Sequence, residues 1–141
     1  MYELHVHLDG SLRKETLYEL GSQYDIAIPD QFGFSDGIGL DIALSMFQLT
    51  VSLMQDKNVI KRLVSELCDD LYKDGVEYAE IRYAPNLHGV DLEEIVNASC
   101  EGLKYGYKLI LCGLYGNSPK TIEILVELAK KYKDVVGIDI A

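Results

Sequence analysis

Basic residues are scarce in this chain: its 141 residues carry 13 Lys and Arg against 23 Asp and Glu, a formal net charge of −10. So few scattered cations cannot build the basic patch that a nucleic-acid backbone demands, which excludes nucleic acid as the partner. A neutral small molecule or a metal cation suits such a field better. Cysteine is equally sparse. Cys68, Cys100 and Cys112 are odd in number and widely spaced, with no CxxC pair. Neither a disulfide framework nor a thiolate zinc site is suggested, and the three read as buried free thiols in a reducing compartment. No apolar run approaches the length of a membrane span and no signal-peptide pattern precedes residue 3, so no membrane partner is expected and the cytoplasm is the expected location. No Gly-rich phosphate loop follows any expected strand, which weakens a nucleotide-binding doubly wound reading.

What is present is a globular composition, 48% hydrophobic and 26% charged, long enough to bury a sizeable core. Of only three histidines, two fall in Glu3-Leu4-His5-Val6-His7-Leu8-Asp9-Gly10-Ser11. Side chains of an extended strand alternate faces, so His5, His7 and Asp9 should point one way and Leu4, Val6 and Leu8 the other. Two imidazoles and a carboxylate on one face are ligand types for zinc or a similar ion. Gly10 then lets the backbone turn as the strand ends. The plainer reading is a half-exposed strand with two ordinary histidines.

Hydrophobic periodicity organises the remainder. Residues 2–8 read as a strand, 14–24 as a helix with Leu17, Leu20 and Tyr24 on one face, and 25–39 as a loop with Pro29, Gly33, Gly37 and Gly39. Residues 40–55 form an apolar, helix-spaced segment. Asp56 caps the next helix, which stops at Gly75. Residues 76–83 read as a strand ended by Pro85. Asp91 with Glu94 opens a helix as a capping box, closed at Gly106. Residues 107–114 and 135–140 are buried strands flanking a helix opened by Ser118-Pro119. Alternating strands and helices imply an α/β fold with a parallel sheet and right-handed crossovers. His7, Asp9, Arg82, Asn86 and Asp139 sit at strand C-termini, where a (β/α)-barrel builds its site. Four strands are half of that barrel's eight, and its usual length is about 250 residues. Leu109, Leu111 and Ile138, or their neighbours, are expected on the barrel's inner face.

Glu3-Leu4-His5-Val6-His7-Leu8-Asp9-Gly10-Ser11-Leu12 resembles the opening strand of the adenosine deaminase family, within the metal-dependent amidohydrolases. Gly75-Val76-Glu77-Tyr78-Ala79-Glu80-Ile81-Arg82-Tyr83-Ala84-Pro85 is similar to that family's second strand. Leu109-Ile110-Leu111-Cys112 resembles the third, and Val135-Val136-Gly137-Ile138-Asp139-Ile140-Ala141 the fourth. The resemblance covers the whole chain in order. It implies a half-barrel, residues 1–141 being the N-terminal part of one (β/α)8 domain that deaminates adenosine with zinc. By that resemblance His5 and His7 are metal ligands, Asp9 hydrogen-bonds the ribose of a purine nucleoside, and His7 also lines the substrate site. The helix holding Leu44 and Phe47 resembles the family's hydrophobic lid over the purine, although helix spacing alone fits ordinary core packing equally well. Arg82 and Glu80 are expected as structural ion-pair partners, Asp139 as structural, and His88 as a surface residue.

The chain departs from the family pattern in places. The third strand leads into Leu114-Tyr115-Gly116-Asn117 rather than an arginine. The family's further metal ligands and its catalytic glutamate lie beyond Ile-Asp-Ile-Ala, so no catalytic residue is expected within residues 1–141 and the missing C-terminal half of the barrel is the expected partner. Binuclear amidohydrolases need a carboxylated lysine at the fourth strand's end, and Gly137 to Ala141 has none. The cytidine-type zinc deaminase signature is absent as well. A non-catalytic half that acts only by assembly with a partner chain is the competing reading.

Overall fold

A computed structural model describes residues 1–30, 32–33, 37–89 and 91–141. Part of the loop expected at 25–39 therefore lies outside the described residues. The elements run β1 (Tyr2–His7), α1 (Lys14–Gln23), α2 (Leu40–Leu53), α3 (Lys57–Lys73), β2 (Tyr78–Tyr83), a 3-10 turn (Pro85–Leu87), α4 (Leu92–Gly102), β3 (Lys108–Gly113), α5 (Pro119–Lys131) and β4 (Val135–Ile140). The strands form one parallel sheet in the order β1-β2-β3-β4. This is the parallel α/β sheet expected from the alternation of strands and helices, with its four strands in the sequential order of the half-barrel that the resemblance implies.

Local chemistry sets the boundaries. Asp56 Oδ1 accepts from the Asn58 and Val59 amides at 2.7 and 3.3 Å, satisfying donors that the first turn of α3 cannot pair internally. Gly75 follows α3 with φ +78, a left-handed conformation that favours glycine. Ser118 caps α5 ahead of Pro119. The start of α4 is half of the expected box: Asp91 accepts from the Glu93 and Glu94 amides, while the Glu94 carboxylate pairs with Lys57 of α3 at 3.0 Å. Its end is earlier than expected, at Gly102 rather than Gly106. A side chain at Gly102 would overlap the Lys61 carbonyl of α3, so this glycine marks the close approach of two helices.

The core lies between the sheet and its helices. Ile81, Leu109 and Leu111 of the strands are fully buried in one cluster with Leu17 and Leu20 of α1, Ile60 and Val64 of α3, Val96 of α4 and Leu125 of α5. The expectation of Leu109 and Leu111 on the inner face is thus corrected: they belong to the helix-covered face. Strand parity places Arg82, Ile110 and Gly137, which pair across the sheet in line with His7, on the other face. Ile138, opposite Leu111, shares the helix-covered side but is 36% exposed at the β4 edge. No helix among the described residues is long and apolar enough to cross a membrane, and Cys68, Cys100 and Cys112 are free thiols.

Candidate metal and substrate site

The His5 and His7 side chains converge. Their Nε2 atoms lie 3.3 Å apart, with ring centroids at 5.3 Å and planes tilted by 38°. Two nitrogens bound tetrahedrally to one zinc at ~2.0–2.1 Å would stand roughly 3.3–3.4 Å apart. The observed pair matches that separation, with His5 exposed and His7 half-buried. Among the described residues no group of three or more His, Cys, Asp or Glu is arranged to hold a metal ion. Two imidazoles alone fall short of such a group.

Strand β1 carries this pair with an irregularity. Its register against β2 runs Tyr2↔Tyr78, Glu3↔Ala79, then Val6↔Ile81 and His7↔Arg82. Strict alternation of Leu4, Val6 and Leu8 on a buried face consequently fails at one end: Leu8 is buried and Leu4 is 53% exposed. Beyond the strand, Ser11 Oγ donates to the His7 carbonyl at 2.5 Å and the Ser11 amide to the Leu8 carbonyl at 3.1 Å, closing the turn.

Asp9 lies behind the pair, buried, with Oδ1 4.0 Å from His7 Nδ1. Among the described residues that oxygen has no hydrogen-bond partner. Burial pushes the Asp9 carboxyl upward, opposed by His7 and by the Asp9 and Gly10 amides. Burial lowers the His7 pKa, Asp9 opposes it, and His5 and Arg82 lower it further. Neutral imidazole is the form that ligates a metal.

Phe47 of α2 reaches this turn, half-buried against Gly10, whereas Leu44 is 50% exposed on the same helix. The far end of α2 is tied to the loop after β2, because Gln55 Nε2 donates to the Val51 and Leu87 carbonyls at 2.7 and 2.8 Å. In that loop the expectation of a surface His88 is corrected. Its ring is fully buried, 5.8 Å from Tyr83 between centroids, and neither nitrogen is hydrogen-bonded among the described residues. Burial holds its pKa down to about 4. Periodicity could not show this, because the residue lies in a loop, where burial is decided by packing against other elements.

Arg82, expected to be half of an ion pair, makes one with Asp139. Nη1 donates to Asp139 Oδ2 at 2.7 Å and Nη2 to the Leu4 carbonyl at 2.9 Å. Glu80 accepts from the Tyr78 hydroxyl at 2.9 Å. Sequence reasoning did not anticipate the bond from Arg82 to β1, which depends on the bulge that exposes the Leu4 carbonyl.

Comparison with known proteins bears on this geometry. The sequence model of the family described as adenosine deaminase matches residues 1–141. An adenosine deaminase of Clostridium botulinum is 35% identical over 98% of this chain and 48% of its own length. The chain thus spans about half the length of that relative. Among solved structures, an Arabidopsis N6-mAMP deaminase superposes with a TM-score of 0.84 at 26% identity, covering 99% of this chain and 49% of that one. An Arabidopsis ADAL protein complexed with IMP gives 0.83 at 26% identity, covering 99% and 48%.

Proposed function

The chain belongs to the adenosine deaminase family, and on that premise we propose that residues 1–141 are the N-terminal part of one (β/α)8 domain that hydrolyses adenosine, or a closely related adenine nucleoside, to inosine and ammonia. The observation that carries this reading is the His5–His7 pair, whose Nε2 atoms converge to 3.3 Å at the C-terminal end of β1. The resemblance to metal-dependent amidohydrolases implies a metal ion, and His5 and His7 would hold zinc through those nitrogens. Bound there, zinc would act as a Lewis acid that makes water a nucleophile at neutral pH. Asp9, whose buried Oδ1 has no partner among the described residues, would accept a hydrogen bond from a ribose hydroxyl. Phe47, resting on the Gly10 turn, and Leu44 on the exposed side of α2 would cover the purine and exclude water. The group that moves the proton to the ring nitrogen lies outside residues 1–141 in this reading, supplied by the remaining half of the barrel. The name of the N6-mAMP deaminase and the IMP bound by the ADAL protein support a purine-containing substrate. The three free thiols accord with a cytoplasmic setting.

A second reading, in which the chain works only by assembling with a partner, would rest on the exposed apolar side chains of β4, Val136 at 49% and Ile140 at 58%, because exposed apolar surface favours association.

Calorimetric zinc titration of the chain tests the first reading. Two ligands should give weak binding, lost in the His5→Ala/His7→Ala double variant. Addition of the C-terminal half from the C. botulinum relative should give zinc-dependent loss of adenosine absorbance. Zinc binding unchanged in the double variant would overturn the ligand assignment, and turnover by the chain alone would overturn the claim that the proton-transfer group lies elsewhere.

A further inference from the structure

One guanidinium ties three of the four strands together immediately behind the His5–His7 pair. Between Glu3 and Val6, β1 advances three residues while β2 advances two, from Ala79 to Ile81. An extra residue of this kind is a bulge, which bends a strand and re-aims the side chains beside it. Leu4 and His5 are the residues within it. The Leu4 carbonyl accepts from Arg82 Nη2 at 2.9 Å, and Arg82 itself stands directly across the ladder from His7. Its other arm is fixed at 2.7 Å to Asp139 on β4. We propose that Arg82 is a positioning residue: it holds the bulge that contains Leu4 and His5 and thereby sets the mutual orientation of the His5 and His7 rings.

The chemistry of arginine supports the assignment. A guanidinium is a rigid planar fork, so anchoring Nη1 on β4 fixes where Nη2 points. The side chain is only 9% exposed, and among the described residues its Nε–H is buried without an acceptor. A buried donor left unpaired is costly, so the fork is oriented for its two ends at the expense of its third donor. A plain ion pair between β2 and β4 would need neither the bond to Leu4 nor that orientation. Outer groups that orient metal ligands typically change metal affinity 10- to 100-fold when removed.

The metal consequence rests on the zinc reading given above, whereas the ring geometry does not. Both are accessible in the 141-residue chain by NMR of its labelled histidines, with zinc chloride as the probe. The wild-type chain should show a cross-relaxation peak between the His5 and His7 rings, and zinc should shift both rings. In Arg82→Met that peak should weaken or vanish and zinc should bind about 10- to 100-fold more weakly, with the amide shifts of β2 and β3 retained. Arg82→Lys keeps the charge but not the fork, and should recover less than half of the lost affinity on a logarithmic scale. Asp139→Asn, which frees one arm and leaves the Leu4 bond possible, should give an intermediate loss; it decides the matter if Arg82→Met does not fold. An inter-ring peak and zinc affinity unchanged in the folded variants would overturn the proposal. Zinc silence in the wild type, with the peak still lost in Arg82→Met, would end the zinc reading and leave Arg82's positioning role standing.

Discussion

Phe47 and Gly10 meet where β1 turns into its first loop: a Cβ on Gly10 would lie 3.3 Å from Cε1 of the Phe47 ring and 3.5 Å from Cζ. Through this contact, the turn that follows the histidines also seats the middle of α2. The helix has an apolar, open N-terminal half, with Leu40 at 73% and Ile42 at 54% exposure, and a buried C-terminal end at Leu53 and Met54. Its placement therefore depends on few contacts, and such segments open at lower free energy than the core.

Gly10→Val should consequently loosen α2 without unfolding the sheet. Amide exchange across residues 43–50 is expected to accelerate about tenfold, equivalent to about 1.4 kcal/mol of local stability. Exchange in β2 and β3 should stay as in the wild type. Uniform acceleration across both elements would mean that the contact serves global stability instead.

The close approach of α3 and α4 predicts the opposite of ordinary helix propensity. Alanine normally stabilises a helix relative to glycine by up to about 1 kcal/mol. At Gly102 the added methyl would overlap the Lys61 carbonyl and press on Val64 Cβ at 3.0 Å. Backbone cannot yield as a side-chain tip can, so Gly102→Ala should cost about 1–3 kcal/mol in urea unfolding. A neutral or stabilising result would show that the two helices part freely.

His88 supplies a pH dependence with a definite sign. Its pKa is held down to about 4 in the folded chain, against 6.5 for an ordinary histidine. Between those values the unfolded chain binds the proton more readily, so folding stability falls as pH drops from about 6.5 towards 4 and levels off below. The shift corresponds to roughly 3 kcal/mol at its full extent. His88→Leu, which keeps an apolar side chain beside Tyr83, should remove most of that slope when unfolding free energies at pH 7 and pH 4.5 are compared. An equal slope in the variant would assign the acid sensitivity to groups other than His88; Asp70, which Arg13 holds below its usual pKa of 3.8, would act only at lower pH, outside that window.

Local signals in the chain determined its elements and their order. The Asp56 cap, the Gly75 stop and the Ser118-Pro119 start each act within one turn of backbone, so they can be read residue by residue. Periodicity likewise gave four strands between helices, and the spacing of His5 and His7 gave the candidate ligand pair. Other features arose only from strands and helices meeting. Which face of β3 is covered depends on pairing, and the continuous apolar run 107–114 carries no period to reveal it; the sheet assigned Leu109 and Leu111 to the helices. His88 is inside because the loop after β2 packs back against α4 and β3. The end of α4 at Gly102 reflects a helix neighbour 41 residues earlier, at Lys61. The bond from Arg82 to Leu4 joins residues 78 apart and needs a bulge that no alternation pattern encodes. Sequence thus determined the chemistry available at the strand end, because residue types and short spacings are local. Tertiary structure alone decided how that chemistry is aimed, because aim depends on register and packing between distant segments.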